Sequence, residues 1–235
     1  MSSEVNPTEP QSLNFQEGEM LLVDKPLEWT SFDVVKKMRG LTRVKKIGHA
    51  GTLDPLATGL LILCTGKMTK QIERFQAMEK AYTGVFVLGK TTPSVDLETE
   101  FDSQQPTDHI TLNQLEQTRQ TFLGTIEQVP PQHSAVKVDG KRVYKLARQG
   151  KTVEIKSRQV EIKEFNFTEV DLPTVHFEVV CSKGTYIRSL VRDLGQSLGV
   201  GAYLKELRRT RIGQYRVDDA QTIAEWTQTL KEARE

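Results

Sequence analysis

Gly48-His49-Ala50-Gly51-Thr52-Leu53-Asp54-Pro55-Leu56-Ala57-Thr58-Gly59 is the stretch on which the reading of this chain turns. Its glycines let the backbone bend tightly and approach a ligand closely. Asp54 precedes a proline, which biases it toward extended backbone outside a helix, so its carboxylate can project into a cleft. An Asp-Pro step alone is an ordinary turn or helix start, so the rest of the sequence must decide. A phosphate-binding loop of the Walker type does not follow: ahead of Gly66-Lys67 the required glycine is Leu61, and Met68 stands where Ser or Thr is needed. The histidines at 49, 109, 133 and 176 have no second ligand at a recognisable spacing, so no metal site is expected.

Working outward, Met20 to Val23 reads as a first strand ended by Lys25-Pro26. Thr30 or Ser31 caps a helix to about Arg39, with Phe32, Val35 and Met38 or Arg39 on one side. Ala57 to Cys64 holds the apolar run Leu60 to Cys64, and periodicity leaves helix and strand open. Ala81 to Leu88 alternates Tyr82, Gly84, Phe86 and Leu88 against Thr83, Val85 and Val87, a strand pattern. Leu112, Leu115, Arg119 and Phe122 recur at helical spacing, with Gly124 as a stop. Val175 to Ser182 alternates again, and Ile187, Leu190, Val191, Leu194 and Leu198 form one helical stripe. Ile223, Trp226 and Leu230 mark a last helix. Strands and helices mix without a strict βαβ rhythm, so the expected class is α+β, one domain over residues 18–235 behind a flexible tail at 1–17. That tail has no basic start and no apolar stretch, so it is not read as a signal peptide, and no run is long enough to span a bilayer. Cys64 and Cys181 lie among apolar residues and read as core thiols in a reducing cytoplasm.

The formal charge of +1 hides an asymmetry. Residues 137–158 hold eight basic and two acidic residues, net +6, and residues 183–211 hold seven and two, net +5, leaving −10 for the remainder. Two basic segments on a neutral chain suit a polyanion on one face. Scattered surface charge is an equal reading from charge alone. Pro130-Pro131 opens the first segment and Asp139-Gly140 is a hairpin-turn signal, which suits a projecting basic hairpin built to clamp RNA.

The segment Cys181-Ser182-Lys183-Gly184-Thr185-Tyr186-Ile187-Arg188-Ser189-Leu190 joins a strand to a helix, and Arg188 there can grip a carboxylate or phosphate with two prongs. Taken together, Gly48 to Gly59, Lys25-Pro26, Tyr82 at the start of its strand and Lys183 to Leu190 resemble the ordered signature segments of the TruB pseudouridine synthases. The stretch Pro130 to Gly150, with Ser134-Ala135, Lys137, Gly140, Tyr144 and Ala147-Arg148, resembles the RNA-gripping insertion of the bacterial members.

That resemblance implies a pseudouridine synthase fold with a central mixed, largely antiparallel sheet. It implies isomerisation of uridine 55 in the T-arm loop of tRNA, with no cofactor, no membrane and no obligate protein partner, by a monomer. It makes Asp54 the catalytic carboxylate, Arg188 its partner, Tyr82 the residue against the target base, Tyr186 a contact on the arginine side, Leu207 an apolar wall and His49 the contact that replaces the flipped base. Lys25 is grouped with the substrate contacts, and Lys137, Lys141, Arg142, Lys145 and Arg148 with the RNA contacts in the insertion at 130–158. Tyr203, Leu204 and Leu207 also fit plain core residues at helical spacing. Many members of the family carry an aromatic residue where this chain has His133, and members usually continue into a small C-terminal RNA-binding domain, whereas about twenty residues follow Gly213 here, enough for one helix.

Overall fold

In this computed structural model the described residues are 14–233 apart from 135, 139–140, 144–145 and 147–152. The strands in chain order are β1 Met20–Lys25, β2 Ile47–His49, β3 Ala57–Thr65, β4 Lys80–Leu88, β5 Lys90–Thr91, β6 Ser103–Gln104, β7 Gly124–Gln128, β8 Lys137–Val138, β9 Lys141–Arg142, β10 Arg158–Asp171, β11 Thr174–Cys181, β12 Ala202–Ile212, β13 Tyr215–Arg216 and β14 Gln221–Thr222. The helices are α1 Ser31–Thr42, α2 Ile72–Ala77, α3 Leu112–Gln120, α4 Ile187–Ser197 and α5 Ile223–Glu232.

Ten of these strands form one sheet in the order β14-β1-β3-β12-β4-β11-β10-β7, with β2 on β3 and β13 on β12. Only β1–β14 and β3–β12 run parallel; the other pairs are antiparallel. The α+β class with a largely antiparallel sheet is therefore observed. β5–β6 and β8–β9 are separate two-stranded ribbons.

Alternation explains which faces are covered. Along β4 and β11, Tyr82, Phe86, Leu88, Val175, Phe177, Val179 and Cys181 enter one core with Leu115 of α3 and Ile187, Leu190, Val191 and Leu194 of α4. The open choice at Ala57 to Cys64 resolves to a strand buried on both faces. Leu61 and Leu63 pack on Val34, Val35 and Met38 of α1 and Trp226 of α5, while Leu60, Ile62 and Cys64 pack on Phe75, Ile212 and Val217. A strand covered on both sides reads as a continuous apolar run, which is why its period was invisible.

Two expectations need correction. Phe32 is exposed, and the buried stripe of α1 is Ser31, Val34, Val35, Met38 and Thr42. Tyr203, Leu204 and Leu207 lie on strand β12, not at helical spacing; a bulge between Leu204 and Glu206 disturbs the alternation that would have shown this. Ahead of β1, Phe15 meets the α1 core, and the Lys67 amide donates to the Glu17 carbonyl at 3.0 Å.

Candidate active site

The loop between β2 and β3 carries Asp54, and side chains distant in sequence hold it. The α1 N-terminus is fixed by a capping box between Thr30 and Asp33. The next residue, Ser31, accepts at Oγ from the Leu53 amide at 2.9 Å and donates back to the Leu53 carbonyl at 3.2 Å. Lys25 is fully buried beneath the loop. Its ammonium donates to the carbonyls of Trp29 at 2.5 Å, Pro26 at 2.9 Å and Pro55 at 3.2 Å. Burial pulls this ammonium down to about 8, with the Asp54 charge opposing. Lys25 thus supports the loop from below and does not line the pocket.

Arg188, in the first turn of α4, is 3% exposed. Its Nε lies 2.9 Å from Asp54 Oδ2 and 3.6 Å from Asp96 Oδ2. The Asp54 contact is an ion pair oblique to the N–H direction, not an aligned hydrogen bond. The two terminal nitrogens donate to the Ser94 carbonyl at 2.9 Å and the His133 carbonyl at 2.7 Å. One guanidinium therefore ties the Asp54 loop, the 92–99 loop and the root of the basic segment together.

The Asp54 side chain is 38% exposed at the floor of a cleft. Enclosure pushes its carboxyl above the usual range; the Arg188 charge pulls it down, while Asp96 and Glu98 push it up. Sequence reading missed Asp96. It sits in a loop without periodicity, where Thr92 Oγ1 and Ser94 Oγ donate to its carbonyl at 2.6 and 3.1 Å. The preceding Val95 adopts φ 65°, a strained conformation for a β-branched residue, costing about 1–3 kcal/mol. The hydroxyl residues Thr92, Ser94 and Thr99 flanking Asp96 in the sequence were the available signal.

A cavity of about 70 Å³ is lined by Asp54, Tyr82, Tyr186, Arg188 and Leu207, together with Thr52, Leu53, Thr185 and Ile187. Five residues singled out in the sequence thus converge. Tyr82 is buried, and burial raises its phenol while the Arg209 charge opposes that rise. Tyr186 is held through its backbone by buried Gln128, which donates to its carbonyl at 3.1 Å and accepts from its amide at 2.7 Å. The Arg158 guanidinium lies 4.7 Å from the Tyr186 ring centroid, a cation–π stack. Gln128 and Arg158 had no mark in the sequence beyond charge. His49 ends β2 half-buried, with its imidazole pKa lowered chiefly by burial. Beside the pocket, Leu56, Lys205, Glu206 and Leu207 also line a cleft of about 630 Å³ bordered by Leu27, Leu97, Thr83, His176 and Arg208.

Of the expected RNA contacts, Lys137, Lys141 and Arg142 lie on the β8–β9 ribbon, in register Lys137↔Arg142 and Val138↔Lys141. Lys145, Arg148 and the turn Asp139-Gly140 lie outside the described residues.

With this geometry in place, comparison with known proteins is direct. Residues 39–187 match the family described as TruB family pseudouridylate synthase, N-terminal domain. The chain belongs to the TruB family. Residues 188–235 match the tRNA pseudouridylate synthase B C-terminal domain. The two matches meet within the first turn of α4, and the second supplies β12 to the middle of the same sheet. This TruB chain is 52% identical over 225 residues to a protein of Phocaeicola vulgatus named tRNA pseudouridine synthase B, covering 93% of this chain and 95% of that one. A protein of Flavobacterium johnsoniae with the same name is 51% identical, covering 92% and 98%. Among solved structures, a chain from a Cbf5-Nop10-Gar1 complex superposes with a TM-score of 0.74 at 28% identity over 94% of this chain. This chain spans 56% of the length of that one.

Proposed function

We propose that this protein converts uridine to pseudouridine in tRNA, at position 55 of the T-arm loop, with Asp54 as the catalytic carboxylate. The observation that carries the reading is the Asp54–Arg188 pair at 2.9 Å in a pocket shared with Tyr82, in a TruB chain half identical to proteins named tRNA pseudouridine synthase B.

In this reaction the bond from ribose C1′ to N1 breaks, a bond from C1′ to C5 forms, and the proton on C5 is replaced by one on N1, with no net redox change. The target base must first leave the stack, at a cost of a few kcal/mol. Tyr82 then lies against the extruded ring, and Leu207 closes the apolar side. Asp54 acts in its ionised form, which Arg188 favours against the enclosure that opposes it. Tyr186, stiffened by Gln128 and Arg158, borders the arginine side, and His49 contacts the strand from which the base has left. The basic ribbon of Lys137, Lys141 and Arg142 contacts phosphates, a positioning role without base specificity.

The test is incubation with an unmodified tRNA transcript and mapping of pseudouridine by position. Modification at U55, abolished by Asp54→Asn while RNA binding persists, is the expected result. Modification elsewhere, or retained turnover in the Asn variant, overturns the reading.

A further inference from the structure

Arg209 sits on β12 in register with Gly59 of β3 on one side and Tyr82 of β4 on the other. It is 1% exposed. Its Nε donates to the Leu60 carbonyl at 2.8 Å and Nη2 to the Gly51 carbonyl at 3.1 Å. Both acceptors are main-chain oxygens, so neither neutralises it. A guanidinium enclosed in this way is unfavourable compared with an apolar side chain of similar volume, which makes a purely space-filling role a poor account of it.

Two glycines of the signature segment lie against Arg209, one at its side chain and one at its main chain. Gly51 has φ 96°, and a Cβ there would meet Arg209 Nη1 at 3.6 Å. Gly59 has φ 100°, and a Cβ there would lie 2.3 Å from the Arg209 carbonyl oxygen. Gly51 thus borders the guanidinium, whereas Gly59 allows β3 to approach the Arg209 backbone. Ser31 holds Leu53 and Lys25 holds Pro55, on either side of Asp54, and Arg209 fixes the entry to that span at Gly51.

We propose that Arg209 is a positioning residue for the isomerisation: it anchors Gly51 so that Asp54 meets Arg188, and it registers the catalytic loop against the strand that presents Tyr82. This rests on the uridine-isomerising reading above. Its charge also bears on the Tyr82 hydroxyl, opposing the rise that burial imposes. Because the guanidinium is sealed from the surface, RNA affinity does not depend on it.

The experiment compares wild type, Arg209→Met, Arg209→Lys, Gly51→Ala and the Arg209→Met/Gly51→Ala double variant on a T-arm stem-loop, with thermal unfolding measured for each. Arg209→Met is expected to lower kcat about 100-fold, the loss that a misplacement of roughly 1 Å produces, with KM within about threefold of wild type. Arg209→Lys, which keeps one donor for the Gly51 carbonyl, is expected to restore about a tenth of wild-type kcat. The Met and Ala losses should be non-additive in the double variant, as for two changes to one contact. Unchanged kcat in Arg209→Met, or parallel loss of kcat, KM and melting temperature with additive effects, overturns the proposal. If the Met variant does not fold, wild-type kcat in Arg209→Lys overturns it, and a kcat-specific loss there supports it. A wild-type protein inactive on tRNA would instead defeat the preceding reading.

Discussion

Residues 137–158 and 183–211 carry almost the same excess of positive charge, +6 and +5, yet the fold uses them in opposite ways. In the second segment the cations turn inward or pair off. Arg188 and Arg209 are buried, Arg192 pairs with Asp193 at 2.8 Å, Arg208 with Asp24 at 2.7 Å and Arg211 with Glu79 at 2.7 Å. Lys183 and Lys205 are exposed. Most of these arginines thus hold the sheet and the pocket together. In the first segment Lys137, Lys141 and Arg142 lie on a ribbon apart from the ten-stranded sheet, while Arg158, at its end, starts β10 and stacks on Tyr186. Charge count reports how many counter-charges a segment needs and leaves open whether protein or RNA supplies them.

Three experiments press on that contrast. The largest effect is expected for Arg188→Met, which leaves Asp54 and Asp96 facing each other without their shared cation. Single-turnover rates should fall about 100- to 1,000-fold, as for loss of a preorganised charged donor, with stem-loop affinity nearly intact. A large loss of affinity there would mean that the second segment grips RNA after all. Next, Lys137→Ala/Lys141→Ala/Arg142→Ala should weaken stem-loop binding about 10- to 100-fold near 0.15 M salt. It should also flatten the slope of log K against log salt by about 0.7–0.9 for each phosphate that the ribbon no longer neutralises. An unchanged slope would remove the ribbon from the interface. The mildest is Asp96→Asn. The Asp96 charge raises the Asp54 pKa, so neutralising it should move the acid limb of the kcat/KM profile to lower pH. A limb that stays or rises would show that Asp96 does not act on Asp54 electrostatically.

Much of the fold was legible because one face of β4, β11 and α4 is apolar at its own period, and because α1 and the last helix begin at capping threonines. β12 was misread because its bulge at Leu204/Glu206 breaks the two-residue rhythm. Asp54, Tyr82, Arg188, Tyr186 and Leu207 were legible as a set only through family resemblance; no local pattern links them. Asp96 and Gln128 were not legible, since an aspartate among hydroxyls and a single glutamine look like loop surface until the partners arrive.

The order of the elements, the apolar faces and the loop that bears the carboxylate belong to the sequence alone, because each depends on residues within a turn or a strand of one another. Which cations go inside does not. Lys25 reaches Pro55, thirty positions on, Arg188 reaches Ser94 across 94, and Arg209 reaches Gly51 across 158. Those contacts exist only once β12 lies between β3 and β4 and α4 packs against the sheet. A buried cation is tolerated only where carbonyls or carboxylates already wait for it, and tertiary packing alone brings them there.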